Sequence, residues 1–283
     1  MGLRRWLKYY IPLRWTFTTR YINIINIISF FIIDAFPSLY IVIALGNREP
    51  ITVVYWFLAF FGMFCFYECG YIFNETICVR FENNPTIRIP QNDFEAILKH
   101  IENLITIRIV LGVICSWIVL SRYPNNWRLY IALVLILLIV YAIHNFYRGK
   151  INIITMALEV TLKYMIPITA LIPAKYLPEA LFMVVLTIVA VRLLEYMSKK
   201  KFIDVNIVNN VDSFRIRYYI AATVLAIVAY MANCIHVVLI GLPIIFLCYR
   251  IASYIAMRKM KGVANVIHQG REHHGTERVG GSK

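Results

Sequence analysis

Apolar runs of about 17 to 25 residues recur along the chain, the length an α-helix needs to cross a hydrocarbon core roughly 30 Å thick. Eight can be marked, at 21–45, 51–73, 105–121, 127–145, 151–173, 179–197, 216–232 and 235–257. No water-soluble fold accommodates them, because 60% of the 283 residues are hydrophobic and only 16% are charged, too little polar surface to cover a core of that size. A bilayer has to be the solvent. Helices are the form that crosses it, since unpaired backbone groups are costly in lipid. The expected architecture is an all-α, polytopic transmembrane helical bundle of about eight spans, forming one integral membrane domain over 1–283. Asp34 and Pro37 in the first run predict a kink, and the last run carries Gly241, Pro243 and Arg250.

Lys and Arg set the orientation. With the N-terminus inside, the inner segments hold 21 of these residues and the outer loops only Arg48, Arg122, Arg128 and Lys175. One alternating threading satisfies this positive-inside bias at every loop and places both termini in the cytoplasm. The expected location is the bacterial cytoplasmic (inner) membrane. The net charge of +14 is then explained by topology and by attraction to anionic head groups. Membrane lipids are expected partners, and nucleic acid is not.

The first 20 residues are basic and aromatic, without a short apolar core ending in a small-residue cleavage site. They read as an interfacial amphipathic helix (1–20) rather than a cleaved signal. Residues 262–283, rich in Gly and carrying His268, His273 and His274, read as a disordered cytoplasmic tail. The six cysteines show no CxxC spacing and read as small apolar fillers.

Two long non-spanning segments, about 74–104 and 198–215, fall on the same inner side in this threading. In the first, Glu68, Glu75 and Glu82 recur every seven residues. If the helix continues past the lipid, Glu75, Cys78 and Glu82 stay near one face. Carboxylates so placed can bind a hard divalent cation such as Mg²⁺, which takes oxygen ligands and shares phosphate groups; pairing with Arg80, Arg88 or solvent is the alternative. In the second segment Glu195 lies three residues from Arg192 and four from Lys199, with Asp204 and Asp212 beyond. Local ion pairs would account for it, and a second pocket carboxylate is the sharper reading. The turn His144 to Lys150 brings Arg148, Lys150 and a histidine to the same level. Within the fifth run, Glu159 and Lys163 stand at i and i+4, the favourable order for an interior ion pair lining a cavity. Asp34 has no local partner, which suits a cavity residue or one near the outer interface. His236 reads as an interface residue.

The stretch Asn74 to Pro85 resembles the first polar motif of the UbiA superfamily of intramembrane prenyltransferases, Asn-Asp-x-x-Asp-x-x-x-Asp at the cytoplasmic end of the second helix. Asn74 matches the Asn, Glu75 the first acid and Glu82 the third, while Cys78 occupies the second acidic position. The family's second acidic motif follows its sixth helix, where Glu195 and Asp204 are the counterparts. Its diphosphate-holding basic residues lie between helices 4 and 5, where Arg148 and Lys150 stand, with Arg80 and Lys199 at the same level.

The resemblance implies a bundle with a central cavity open to the inner face, usually of nine helices. It also implies Mg²⁺ bridging the acids Glu75, Glu82, Glu195 and Asp204 to an isoprenyl or phosphoribosyl diphosphate, with Asn74 orienting. The expected function is a UbiA-like membrane transferase that moves a prenyl or phosphoribosyl group from a diphosphate donor to an acceptor, with an isoprenoid or polyprenyl lipid as partner. Two alternatives remain: a non-catalytic lipid-phosphate-binding or partner protein on the same scaffold, and a lipid transporter or flippase using Asp34, Glu159 and Lys163.

Reporters fused at Asn47 and near Pro124, Lys175 and Asn233 are expected to read external, and those at Asn92, Gly149 and Asn209 cytoplasmic. Opposite sides for Asn92 and Asn209 would separate the two polar segments and remove any shared site.

Overall fold

The computed structural model describes residues 6–81, 88–147, 149–203, 207, 210–256 and 258. Eight helices are long and apolar enough to cross a membrane: Ile24–Leu45, Pro50–Phe81, Ile101–Arg122, Pro124–Phe146, Ile151–Leu171, Ala174–Lys199, Val211–Met231 and Val237–Ala256. They are numbered here as spans 1 to 8 and fall on the eight apolar runs with ends shifted by a few residues. The protein is thus an all-α, multi-span integral membrane bundle. Eight crossings leave the segments before span 1 and after span 8 on one side, called here the near end.

Span 2 is the longest, at 32 residues. At about 1.5 Å per residue it reaches about 48 Å, more than the hydrocarbon core, so its last turns rise clear of the lipid at the near end. Spans 2 and 5 are the most enclosed, and spans 7 and 8 the least. Small residues let the neighbours of span 2 approach: the Tyr141 ring of span 4 lies where a Cβ on Gly70 would be, and the Phe66 ring of span 2 packs likewise on Gly112 of span 3.

Pro37 falls where the regular helix of span 1 is interrupted. Its ring excludes a normal helical bond in the preceding turn, and residues Phe31–Ala35 open into a π-helix in which the Phe36 N–H reaches the Phe31 carbonyl. Span 6 opens in the same way over Val185–Val189. There two tyrosines of span 7 take up the carbonyls, Tyr218 donating to Leu186 O at 2.5 Å and Tyr219 to Thr187 O at 2.9 Å.

Before span 1, a 3₁₀ turn Trp6–Tyr10 and a short helix Arg14–Thr19 fold over the near ends of spans 2 and 3. Tyr9 and Trp15 are buried there with Ile72, Ile97 and Leu104. Burial and the Asp93 carboxylate beside it push the Tyr9 hydroxyl up to about 12, so it stays a donor to that carboxylate at neutral pH.

The fastening is an ion pair with no solvent exposure on either side, Arg108 Nε to Glu68 Oε2 at 2.9 Å. Glu68 also accepts from the Leu13 N–H at 3.0 Å and from the Thr16 N–H and hydroxyl at 2.8 and 2.7 Å. Arg108 donates to Leu104 O and Tyr9 O. Leu13 sits at φ 66°, a left-handed conformation costing about 1–2 kcal/mol for a non-glycine residue, and the Glu68 carboxylate offsets it.

Removing one partner of a buried pair leaves the other charge stranded, at a cost of about 3–5 kcal/mol. Arg108→Met is therefore expected to lower the unfolding midpoint in detergent sharply and to expose the segment around Leu13 to protease. The double variant Arg108→Met, Glu68→Leu should recover much of the midpoint but not the protection. Equal protease protection of parent and double variant would contradict this fastening.

A candidate polar site at the near end

Span 2 presents Tyr67, Tyr71 and Asn74 on one helical face, at offsets of four and three. Span 5 presents Asn152, Thr155, Glu159 and Lys163, all buried, at offsets of three, four and four. Span 4, packed against both, contributes Tyr141, His144 and Asn145. The Tyr67 and Tyr141 rings meet edge to face at 4.9 Å, and His144 Nδ1 lies 2.8 Å from the Thr155 hydroxyl and 3.6 Å from Glu159. A polar seam thus runs between spans 2, 4 and 5 from the near end inward.

At its mouth, Glu75 is 4% exposed and fully engaged. Trp15 Nε1 donates to one oxygen at 3.0 Å, while Arg20 at 2.7 Å and Arg88 at 3.2 Å share the other. The Arg20 guanidinium also stacks on the Tyr71 ring, 4.0 Å from its centre. Deeper in, Asp34 is 1% exposed and gathers Lys163 at 2.6 Å, Arg192 at 2.9 Å, the Tyr164 hydroxyl at 3.2 Å and the Tyr21 hydroxyl. Burial and that carboxylate raise the Tyr21 hydroxyl far above the usual tyrosine range, so it remains a donor. Arg192 lies about two turns before the end of span 6 at Lys199, and one turn beyond Arg192 stands Glu195, held in a fork by Arg215 of span 7 at 2.5 and 2.8 Å.

The spacing-based pairings come out differently. Lys163 turns to Asp34 of span 1 rather than to Glu159 one turn earlier, and Arg192 does the same rather than meeting Glu195. A buried cation takes the carboxylate that is most shielded from water, and sequence distance has no say in that choice. Asp34 proves to be an interior residue, and His236 an exposed one paired with Glu179 at 2.8 Å.

Of the expected site residues, Asn74, Glu75 and Glu195 lie at the near end, Arg20 to Tyr21 and Asp34 to Arg192 forming the links between the two acids. They do not converge: each acid holds its own arginine. Arg80 is exposed, with its guanidinium 5.8 Å from the centre of the Phe94 ring; Lys150 and Lys199 are exposed as well. Glu82, Arg148 and Asp204 lie outside the described residues. Among the described residues no group of three His, Cys, Asp or Glu side chains could hold a metal ion.

Besides the Tyr141 hydroxyl, four buried polar atoms of the seam have no hydrogen-bond partner among the described residues: Arg20 Nε, Asn74 Oδ1, Asn152 Oδ1 and Glu159 Oε1, the last 3.6 Å from His144 Nδ1. Buried polar atoms are nearly always satisfied in native proteins, so a cluster of open ones calls for an occupant. The sequence singled out Asn74, Asp34, Glu159 and Lys163, but not Asn152, not Arg20 as a site residue and not the pairing of Asp34 with Lys163 and Arg192. A usable signal existed, because charges within apolar runs must neutralise one another across the bundle.

Compared with known proteins, the chain matches no family model, no curated protein and no solved structure.

Asp34→Asn would leave Lys163 and Arg192 with one carboxylate fewer between them, and a loss of about 3–5 kcal/mol is expected. In a double-mutant cycle with Lys163→Met, measured by unfolding in detergent, the coupling should exceed about 1 kcal/mol. Additive effects would contradict the pairing.

Proposed function

We propose that the chain is a UbiA-like membrane transferase, seating the diphosphate or phosphate head of an isoprenoid or polyprenyl lipid against the seam of spans 2, 4 and 5 and moving a prenyl or phosphoribosyl group there. With the positive-inside bias the near end is cytoplasmic, in keeping with a bacterial inner membrane. The observation that carries the reading is the open set of buried polar atoms, Arg20 Nε, Asn74 Oδ1, Asn152 Oδ1 and Glu159 Oε1, beside a basic mouth.

Three of those four atoms are oxygens, the donors that Mg²⁺ takes. Asn74, Asn152 and Glu159 would therefore offer oxygen donors at successive levels of the seam, whereas the oxygens of Glu75 already serve two guanidiniums and an indole. Glu82 and Asp204 would add carboxylates from the two near-end segments. Mg²⁺, when bound, neutralises the diphosphate leaving group. The chain's own share is to hold and shield. Arg20 is fixed by Glu75 and Tyr71 with its Nε free to donate, Arg148 and Lys150 precede span 5 in the chain, and the tyrosines of the seam wall the reacting end from water.

A second reading, binding of lipid phosphate without turnover, is favoured by one specific observation: Glu75 and Glu195, the acids of the two motifs, are both spent on arginines. Dependence on Mg²⁺ separates the two readings.

Calorimetry with a polyprenyl diphosphate, with and without Mg²⁺, is the test. Glu159→Gln and Glu82→Gln should each weaken Mg²⁺-dependent binding by about 10- to 100-fold, while Glu95→Gln, exposed on the same near-end segment as Glu82, should match the parent. Binding indifferent to Mg²⁺ would select the non-catalytic reading, and no binding to the parent would end both.

A further inference from the structure

A second polar region lies apart from the seam. Spans 6, 7 and 8 enclose a cavity of ≈ 140 Å³ lined by Arg192, Glu195, Arg215, Tyr219, Phe246 and Arg250, among others. A single water needs only about 10–15 Å³, so the space takes a group of several heavy atoms.

Its charges do not balance. Glu195 is held by Arg215, and Asp34 is shared by Lys163 and Arg192. Arg250 makes no ion pair among the described residues; its guanidinium lies 5.1 Å from the centre of the Tyr249 ring, and its Nε is buried without a hydrogen-bond partner. Along the lining itself one carboxylate, Glu195, faces three guanidiniums; Asp34 and Lys163 stand behind Arg192 as a pair, and Asp212 acts on Arg215 from the first turn of span 7. The positive excess that is left inside membrane-spanning helices is expensive unless an anion neutralises it. A phosphate monoester carries about −1.5 to −2 at neutral pH, enough to do so.

Depth narrows the class further. Arg215 lies four residues inside span 7 from Val211, Arg250 six from Ala256 and Arg192 seven from Lys199. At about 1.5 Å per residue these are about 6–10 Å below the helix ends, the level of the head-group belt.

The geometry points to this cavity as a second, separate anion site that takes a phosphate monoester, with Arg250 as its free guanidinium and Arg192 and Arg215 as its walls. Their own carboxylates orient the two wall arginines, leaving further N–H donors of each for the ligand. The monoester belongs either to a lipid head group or to a free phosphate. None of the seam's four open atoms takes part, so this site and the Mg²⁺-dependent one can fail separately.

The test uses the full chain in neutral detergent without Mg²⁺, titrated with a short-chain phosphatidic acid, with inorganic phosphate and with a short-chain phosphatidylcholine, reading the thermal unfolding midpoint. Phosphatidic acid is expected to raise the midpoint and phosphatidylcholine, a diester, to leave it unmoved. An equal response to inorganic phosphate assigns the site to the free ion, and a response to phosphatidic acid alone assigns it to a lipid head. Arg250→Gln should weaken the response by about tenfold or more, Arg250→Lys should keep most of it, and Arg128→Gln, exposed at the opposite end, should match the parent. The proposal is overturned if neither monoester moves the parent's midpoint, or if Arg250→Gln responds as the parent does. Should Arg250→Gln not fold, the Lys variant decides: a response lost in Arg250→Lys as completely as in an Arg215→Ala variant would mean that the charge itself is not what binds.

Discussion

Charges placed where water cannot reach them must find partners inside the protein, and in this bundle that requirement falls on Asp34. Its carboxylate holds Lys163 of span 5 and Arg192 of span 6 and receives hydroxyls from Tyr21 and Tyr164. Three spans and the entry segment therefore meet at one buried group. The π turn forced by Pro37 widens span 1 where Asp34 projects, so a backbone irregularity and a buried charge belong to the same device. Lys163 also lies near the faces of Phe64 and Tyr67, 4.9 and 5.2 Å from their ring centres, which further lowers the cost of a cation at that depth.

A second buried pair, Glu68 with Arg108, does for the N-terminal segment what Asp34 does for the spans. It holds the segment 6–20 as a lid over spans 2 and 3, and by fixing that segment it delivers Arg20 to Glu75 and Tyr21 to Asp34. The near end is consequently linked from Arg88 and Glu75 through Arg20 and Tyr21 to Asp34 and Arg192, with the separate Glu195–Arg215 pair one helical turn further along span 6. Glu75 and Glu195 are committed to arginines, while the Nε atoms of Arg20 and Arg250 are not engaged. That imbalance underlies both anion-binding readings.

The spans were legible because length and hydrophobicity act through the solvent and leave their mark in contiguous residues. Pairings were not: the Glu159–Lys163 spacing suggests a bond that the folded chain does not make, since Lys163 finds Asp34, 129 positions away. Arg20 escaped notice because its partners Glu75 and Tyr71 lie more than fifty residues on. The motif from Asn74 to Glu82 drew attention to the end of span 2 where Glu75 is buried. What its first acid does there depends on the N-terminal segment folding back, which no local pattern announces.

The central claim, that the near end is built to hold the phosphate-bearing head of an isoprenoid lipid, is tested most directly by extracting and weighing the lipids that remain on the purified protein. Mass spectrometry is expected to find a polyprenyl phosphate or diphosphate enriched well above its share of the host membrane, and depleted when Asn152 and Glu159 are replaced together by Leu and Gln. A lipid complement that mirrors the bulk membrane, the same for parent and variant, would contradict it.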